Sequence, residues 1–183
     1  EDFNYTLTYY QSELEKQGVT VKLNTDYDDK MAIDFDDVVF ATGVRPRLAP
    51  INCQDGKRIY AYDEVIRGEV PIGQRVAILG AGGIGFDMVA FLTEQKNKSI
   101  AQFKSQWGIE QTAEQHQPQS QIYMLKRSAG RFGADLGKTT GWIHRAVAKQ
   151  QAVVQLEQCN YLSYSNQGLE IEHKGQQQFL EVD

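Results

Sequence analysis

Residues 80–85 have the types and the spacing of a loop that binds phosphate groups. The segment reads Gly-Ala-Gly-Gly-Ile-Gly and follows the apolar run 76–79. Gly80 permits a tight turn, Gly82 lets the backbone approach a pyrophosphate, and Gly85 lets a helix pack closely on a strand. The N-terminus of that helix offers unpaired N–H groups and a partial positive charge. The pattern therefore predicts a dinucleotide site, with a purely structural glycine turn as the alternative. Its candidate cofactor-binding residues are Gly80, Gly82, Gly83, Ile84 and Gly85.

A basic pair, Lys126 and Arg127, ends the next predicted strand, and Arg131 follows in the same loop. Folds that select NAD usually carry Asp or Glu at this point, bonded to the ribose 2′-hydroxyl. A carboxylate would repel a 2′-phosphate, whereas a guanidinium binds it through two hydrogen bonds. The three cations therefore favour NADPH, with a solvated basic loop as the alternative. The pair lies farther from the glycine turn than usual, and an insertion at 96–120 accounts for this.

Two further segments contain residue types that could bind a cofactor or a nucleotide. Asp87 is either a contact near the nicotinamide end of the cofactor or a carboxylate in the first turn of the helix, favourable to its dipole. Gly137, Lys138 and Thr139 look like the end of a P-loop, but Phe132 stands where that motif needs glycine. We reject ATP binding and expect Thr139 or its neighbour Thr140 to cap the next helix.

The histidines and cysteines form no catalytic or metal-binding motif. His116 and His173 are isolated, and His144 lies on a predicted helix with no Ser or Cys nucleophile motif nearby. Packing or exposure explains all three better than catalysis. Cys53 and Cys159 lack partners at metal-ligand spacing, which fits a reducing, cytoplasmic compartment. We assign no catalytic residue and no metal ligand to this chain.

Composition excludes several classes of protein. The 183 residues are 41% hydrophobic and 23% charged, with a net charge of −5, which suits a folded domain and disfavours nucleic acid as the main partner. No apolar run approaches the ~20 residues of a membrane span.

The periodicity of apolar residues predicts two groups of elements. The first group has a helix at 3–17, strands at 19–23 and 38–41, and a short helix capped by Asp63. The second group begins near residue 70 and alternates strands with helices before it ends in hairpins. Its strands are at 74–79, 121–125, 153–156, 161–165, 169–173 and 178–182, and its helices at 83–95 and 139–150.

Several segments resemble a known group of flavoprotein reductases. Ala41, Thr42 and Gly43, followed by Arg-Pro-Arg, resemble the stretch that runs beside FAD in reductases with two dinucleotide domains. Segments 80–87 (GAGGIGFD) and 136–145 (LGKTTGWIHR) are similar to bacterial NADPH-dependent 2,4-dienoyl-CoA reductases.

The resemblance implies that NADPH binds here and, in the full enzyme, delivers hydride to FAD for the reduction of 2,4-dienoyl-CoA in fatty acid β-oxidation. FMN, a 4Fe–4S cluster and the catalytic residues belong to a TIM-barrel domain outside this chain. The expected partners are NADPH and the rest of the same polypeptide, with neither nucleic acid nor membrane. A free-standing NADP-dependent dehydrogenase needs a base-bearing motif that we do not find. A non-catalytic nucleotide sensor leaves the FAD-like segment unexplained.

The expected fold class is α/β, a Rossmann-like three-layer nucleotide-binding domain with an antiparallel β-meander. It occupies 70–183 and contains the insertion. Two strands make a poor sheet alone, so 1–69 is expected to be an incomplete FAD-binding domain, and the chain a fragment of a longer protein.

The purified chain is expected to be colourless, with little or no FAD and no dienoyl-CoA reductase activity. Ala41, Thr42 and Gly43 line one side of a half-built site, and the ordering cost of binding exceeds what those contacts return. Absorption near the flavin bands measures the bound FAD, and a yellow protein with near-stoichiometric FAD would contradict the domain limits.

Overall fold

The computed structural model describes residues 2–94, 99–107, 109 and 120–183. The chain divides into two compact units, Glu1–Val44 and Arg45–Asp183. The domain limits expected from the sequence, 1–69 and 70–183, remain a prediction. Within the insertion at 96–120, residues Ile100–Gln106 form helix α4, and most of the remaining insertion lies outside the described residues.

The first unit contains the predicted N-terminal helix. Helix α1 spans Asp2–Lys16, and Gly18 follows it with a φ of +67°, a conformation that suits glycine at the end of a helix. A short 3-10 helix spans Asp29–Asp34, and the Asp28 carboxylate accepts a hydrogen bond from the Lys30 N–H at 3.0 Å.

The strands predicted at 19–23 and 38–41 are wrong, since neither segment is a strand in the structure. A strand is stabilised through hydrogen bonds to a neighbouring strand, and neither segment has such a partner in the part of the chain that is described. Apolar composition alone does not supply one.

The second unit contains a parallel sheet in the order β2–β3–β4. Strand β2 is Arg75–Leu79, β3 is Gln121–Leu125 and β4 is Val154–Leu156. Helix α3 (Gly83–Thr93) follows β2, and helix α5 (Gly141–Gln150) connects β3 to β4. These are the strand and helix alternations that the sequence predicted.

An antiparallel meander follows, formed by β5 (Cys159–Ser165), β6 (Gly168–His173) and β7 (Gln176–Leu180). Lys174 and Gly175 both have positive φ, +52° and +80°, as in the tight hairpin turn that matches strand twist. A two-residue strand, β1 (Asn52–Cys53), pairs in parallel with β5 and was not predicted.

The core sits on both faces of the parallel sheet, because strand side chains alternate. Ile122 and Met124 of β3 pack with Phe86 and other apolar side chains of α3 and α5. Leu125, on the opposite face, packs with Ile171 and other apolar side chains of the meander. Helices, parallel sheet and meander form three layers, which confirms the predicted α/β, Rossmann-like fold.

The predicted cap of the short helix needs correction. Helix α2 spans Tyr62–Ile66 with Ala61 at the N-cap, so Asp63 is inside the first turn. The Glu64 carboxylate accepts the Ala61 N–H at 2.8 Å and satisfies that helix end instead. Within the described ranges, no helix combines the length and the apolarity that crossing a membrane requires.

The start of β2 is anchored by the Asp183 carboxylate. Its oxygens accept the backbone N–H groups of Gln74 and Arg75 at 2.8 and 2.9 Å and the Arg75 guanidinium at 2.7 Å. These bonds, led by that of Arg75, hold the pKa of Asp183 below its usual range. The strand that leads into the glycine turn is therefore fixed at its first residue.

Candidate nucleotide-binding site

The glycine turn lies where β2 ends and α3 begins. Gly80 has a φ of +130°, which an L side chain rarely adopts. Its N–H donates to the carbonyl of Leu125 at 2.8 Å, so the turn starts beside the last residue of β3. Gly82 is the N-cap of α3 in an extended conformation. The predicted strand, turn and helix are therefore in place.

Gly85 and Gly82 have opposite surroundings. A Cβ on Gly85 would lie 2.5 Å from the Gly80 carbonyl oxygen, so this glycine permits the close approach of α3 to β2. A Cβ on Gly82 or Gly83 would meet nothing within 4 Å. The space beside these two residues is open to a ligand.

The first turn of α3 presents backbone donors to that space. The N–H groups of Gly83, Ile84 and Gly85 have no acceptor within the helix, and the N-cap Gly82 has no side chain to cap them. Gly82 and Gly83 are exposed, and Ile84 is 52% exposed. With the helix dipole, these donors make a site for an anion such as a pyrophosphate.

The basic loop (126–137) begins at the same edge of the sheet, because β2 and β3 pair in parallel with Leu79 opposite Leu125. Arg127 and Arg131 are exposed, and no hydrogen bond or ion pair to the described residues engages either guanidinium. Both side chains are available to a ligand.

Lys126 has a different environment from the two arginines. Its Nζ donates to the carbonyls of Ala129 and Arg131 at 3.4 and 3.3 Å and lies 4.8 Å from the centre of the Phe132 ring. The ammonium group is therefore engaged with its own loop. Its predicted contact with a cofactor stays a prediction.

Tyr161 supports the end of β3 and was not singled out from the sequence. Its hydroxyl donates to the Leu125 carbonyl at 3.2 Å. Burial raises the pKa of Tyr161 to about 12, so the hydroxyl keeps its proton at neutral pH. No local pattern distinguishes this tyrosine from others in strands.

Asp87 is exposed and is the fifth residue of α3. The alternative that placed it in the first helical turn is wrong, because α3 starts at Gly83 and has no acidic residue in that turn. A contact with the nicotinamide end of the cofactor stays a prediction.

The segment before α5 has the predicted helix start without the predicted side-chain bond. Thr140 is the N-cap of α5, but its hydroxyl makes no capping bond. The Gly141 N–H instead donates to the Gly137 carbonyl at 2.7 Å. His144 is half-buried and packs edge-to-face on Phe86, with ring centres 6.3 Å apart, which confirms its packing role.

Ala41, Thr42 and Gly43 lie in the first unit and are exposed. Gly43 has a φ of +75°. No strand precedes them in the described residues. Their contact with FAD stays a prediction. Among the described residues no cluster of three or more His, Cys, Asp or Glu side chains could hold a metal ion.

A cavity of about 460 Å³ runs along β2 in the second unit. Its lining is mainly apolar and includes Ile78, Met88 and Leu92. It touches Ile84 and Gly85 but no residue of the basic loop. The lining also includes Arg47, Arg58 and Arg75. The anion site is assigned to the open N-terminus of α3, because its unpaired N–H groups lie at the edge of the sheet where the basic loop begins.

The sequence matches a family of known proteins. Residues 5–128, more than half of the chain, match the model of the pyridine nucleotide-disulphide oxidoreductases. The chain belongs to this family. The domain of this family is a Rossmann-like domain that binds FAD or NAD(P), in agreement with the fold found here.

Two named proteins match this chain at low sequence identity. A metal reductase of Desulforamulus reducens is 25% identical over 100% of this chain and 29% of its own length. A cinnamate reductase of Clostridium sporogenes is 29% identical over 52% of this chain and 14% of its own length. The chain thus spans less than a third of either relative.

A solved structure shares the fold. A 2-naphthoyl-CoA reductase in complex with 2-naphthoyl-CoA superposes with a TM-score of 0.63 at 20% identity, over 99% of this chain and 24% of that one.

Two substitutions in the glycine turn are expected to affect different properties, one the affinity for nucleotide and the other the stability of the fold. Gly82→Val should leave the fold intact, because a side chain there meets open space, and weaken nucleotide binding by more than about tenfold. Gly85→Ala should lower the free energy of unfolding by about 1–3 kcal/mol, because its Cβ overlaps the Gly80 carbonyl.

Urea unfolding followed by circular dichroism and titration with NADPH measure the two effects separately. Lys149→Ala is a control outside the site, since Lys149 is exposed in the last turn of α5. Unchanged nucleotide affinity in Gly82→Val would mean that the turn is only structural.

Proposed function

We propose that the chain is the NADPH-binding module of a flavin-dependent oxidoreductase. The observation that carries this proposal is the hydrogen bond between Gly80 and Leu125, which joins the glycine turn to the end of β3. It brings the N–H groups of α3 and the basic loop to one edge of the parallel sheet. One dinucleotide can then meet both.

Different residues would bind different parts of the cofactor. The N–H groups of Gly83 and Ile84 would bind the pyrophosphate, and Gly82 would let the backbone approach it. Arg127 and Arg131 would bind the 2′-phosphate through charge-assisted hydrogen bonds. Asp87, one helical turn further along α3, would lie toward the nicotinamide.

NADPH supplies a hydride from C4 of its nicotinamide, and the protein contributes orientation and electrostatics. The turn fixes the pyrophosphate and the arginines fix the adenosine end, so the nicotinamide end is left to reach an acceptor. We assign no proton transfer to this chain, because the transfer of a hydride from C4 to an acceptor needs no base from the protein.

The wider activity is proposed for the whole protein. There the hydride would pass to FAD, beside Ala41, Thr42 and Gly43, and its two electrons, with two protons, would go on to reduce a 2,4-dienoyl-CoA. The names of two relatives support a conjugated acid or its CoA ester, since they are a cinnamate reductase and a naphthoyl-CoA reductase. FMN and the 4Fe–4S cluster would belong to other parts of that protein, which would act in the cytoplasm.

Arg127→Glu should reverse the preference between nucleotides. The unmodified chain is expected to bind NADPH more tightly than NADH, because an exposed guanidinium meets the 2′-phosphate. A charge-assisted hydrogen bond contributes roughly 1.5–3 kcal/mol, and the new carboxylate would repel the phosphate while accepting the ribose 2′-hydroxyl of NADH. Calorimetric titration with both nucleotides measures the ratio of the dissociation constants.

Lys149→Glu provides a matched control, because Lys149 is an exposed cation in the last turn of α5, away from the basic loop. It makes the same charge change and should leave the ratio unaltered. Equal affinities of the unmodified chain for NADPH and NADH would refute the assignment of the 2′-phosphate to this loop.

A further inference from the structure

We propose that Glu157 is a positioning residue that holds the basic loop in the shape in which Arg127 and Arg131 receive the 2′-phosphate. This inference rests on the proposed function and names a residue that no motif in the sequence indicates. Glu157 follows β4 directly, and its side chain is half-buried, with 30% of its surface exposed.

The carboxylate of Glu157 closes the loop through a backbone bond. Its Oε2 accepts the N–H of Gly130 at 2.6 Å. Gly130 has a φ of +104°, a conformation that side chains rarely adopt, and it stands between the two arginines in sequence. The bond therefore fixes the backbone turn at Gly130, and this turn sets the separation of the two arginine side chains.

Neighbouring backbone bonds make the same connection. The Cys159 N–H donates to the Lys126 carbonyl at 3.0 Å, and the Gln158 N–H donates to the Ser128 carbonyl at 3.4 Å. The segment after β4 thus lies along the first residues of the basic loop. Glu157 adds a side-chain contact to this series.

Lys174 compensates the charge of Glu157, with its Nζ 3.5 Å from Oε1. The bond from Gly130 and the nearby Lys174 and Lys126 lower the pKa of Glu157. The carboxylate is therefore ionised at neutral pH.

Glu157 could affect NADPH affinity in two opposite ways. Its negative charge would repel the 2′-phosphate, whereas its bond to the loop would favour binding of that phosphate. If Glu157 acted only through its charge, its removal would strengthen NADPH binding. If Glu157 positions the arginines, its removal weakens NADPH binding and leaves NADH binding unchanged, because NADH has no 2′-phosphate. The sign of the change separates the two roles.

The experiment titrates the 183-residue chain and its variants with NADPH and NADH by calorimetry. Glu157→Ala should weaken NADPH binding by about tenfold, the scale of one lost bond to a charged group, and change NADH binding by less than about twofold. Glu157→Gln should retain the affinity, because its amide oxygen still accepts the Gly130 N–H. Glu172→Ala removes a nearby carboxylate that bonds Asn160 instead, and should have no effect.

Glu157→Asp provides a second test if the alanine variant does not fold. It keeps the charge but is one methylene shorter, and should weaken NADPH binding as alanine does. Unchanged or tighter NADPH binding in a folded Ala or Asp variant would overturn the positioning role alone. Equal binding of both nucleotides by the unmodified chain, or binding of neither, would instead refute the proposed function.

Discussion

The close packing of α3 on β2 at Gly85 is the contact on which the site depends. A single methyl group there would lie 2.5 Å from the Gly80 carbonyl oxygen. Because the helix approaches so closely, its first N–H groups lie at the end of the strand. The parallel pairing of β2 with β3 then brings Leu125, and the basic loop after it, to the same edge.

The site uses backbone and side chains for different tasks. The N–H groups at the start of α3 can bind any pyrophosphate, so they give affinity without choosing between NAD and NADP. In the proposed site, selection would fall to the side chains of Arg127 and Arg131, which are exposed while Lys126 is engaged within its loop. These cations make a local positive region on a chain whose net charge is −5.

The sequence predicted elements whose pattern is local. Strand 121–125 matches β3 because its apolar residues stand between polar flanks. The glycine turn was recognisable because Gly80 adopts a positive φ and Gly85 permits the close approach of α3 to β2. The predictions of strands at 19–23 and 38–41 were wrong, because strand formation depends on a partner strand that composition does not reveal. Strand β1 was missed for the converse reason, since two residues become a strand only by pairing with β5.

The side-chain roles in the site were harder to predict. Lys126 and Arg127 are adjacent cations in the sequence, yet only the structure shows that the first turns back to carbonyls of its own loop. Glu157 and Tyr161 act through contacts with residues distant in the chain. Such contacts leave no trace in spacing or composition, so these residues required the folded structure.

Nuclear magnetic resonance of the ¹⁵N-labelled chain, titrated with NADPH and with NADH, tests the central claim most directly. The account predicts that the amide resonances of Gly82, Gly83 and Ile84 shift with both nucleotides. It also predicts that the guanidinium resonances of Arg127 and Arg131 shift only with NADPH. Shifts confined to residues of the β2 cavity, such as Met88 and Leu92, with the glycine turn unaffected, would contradict it.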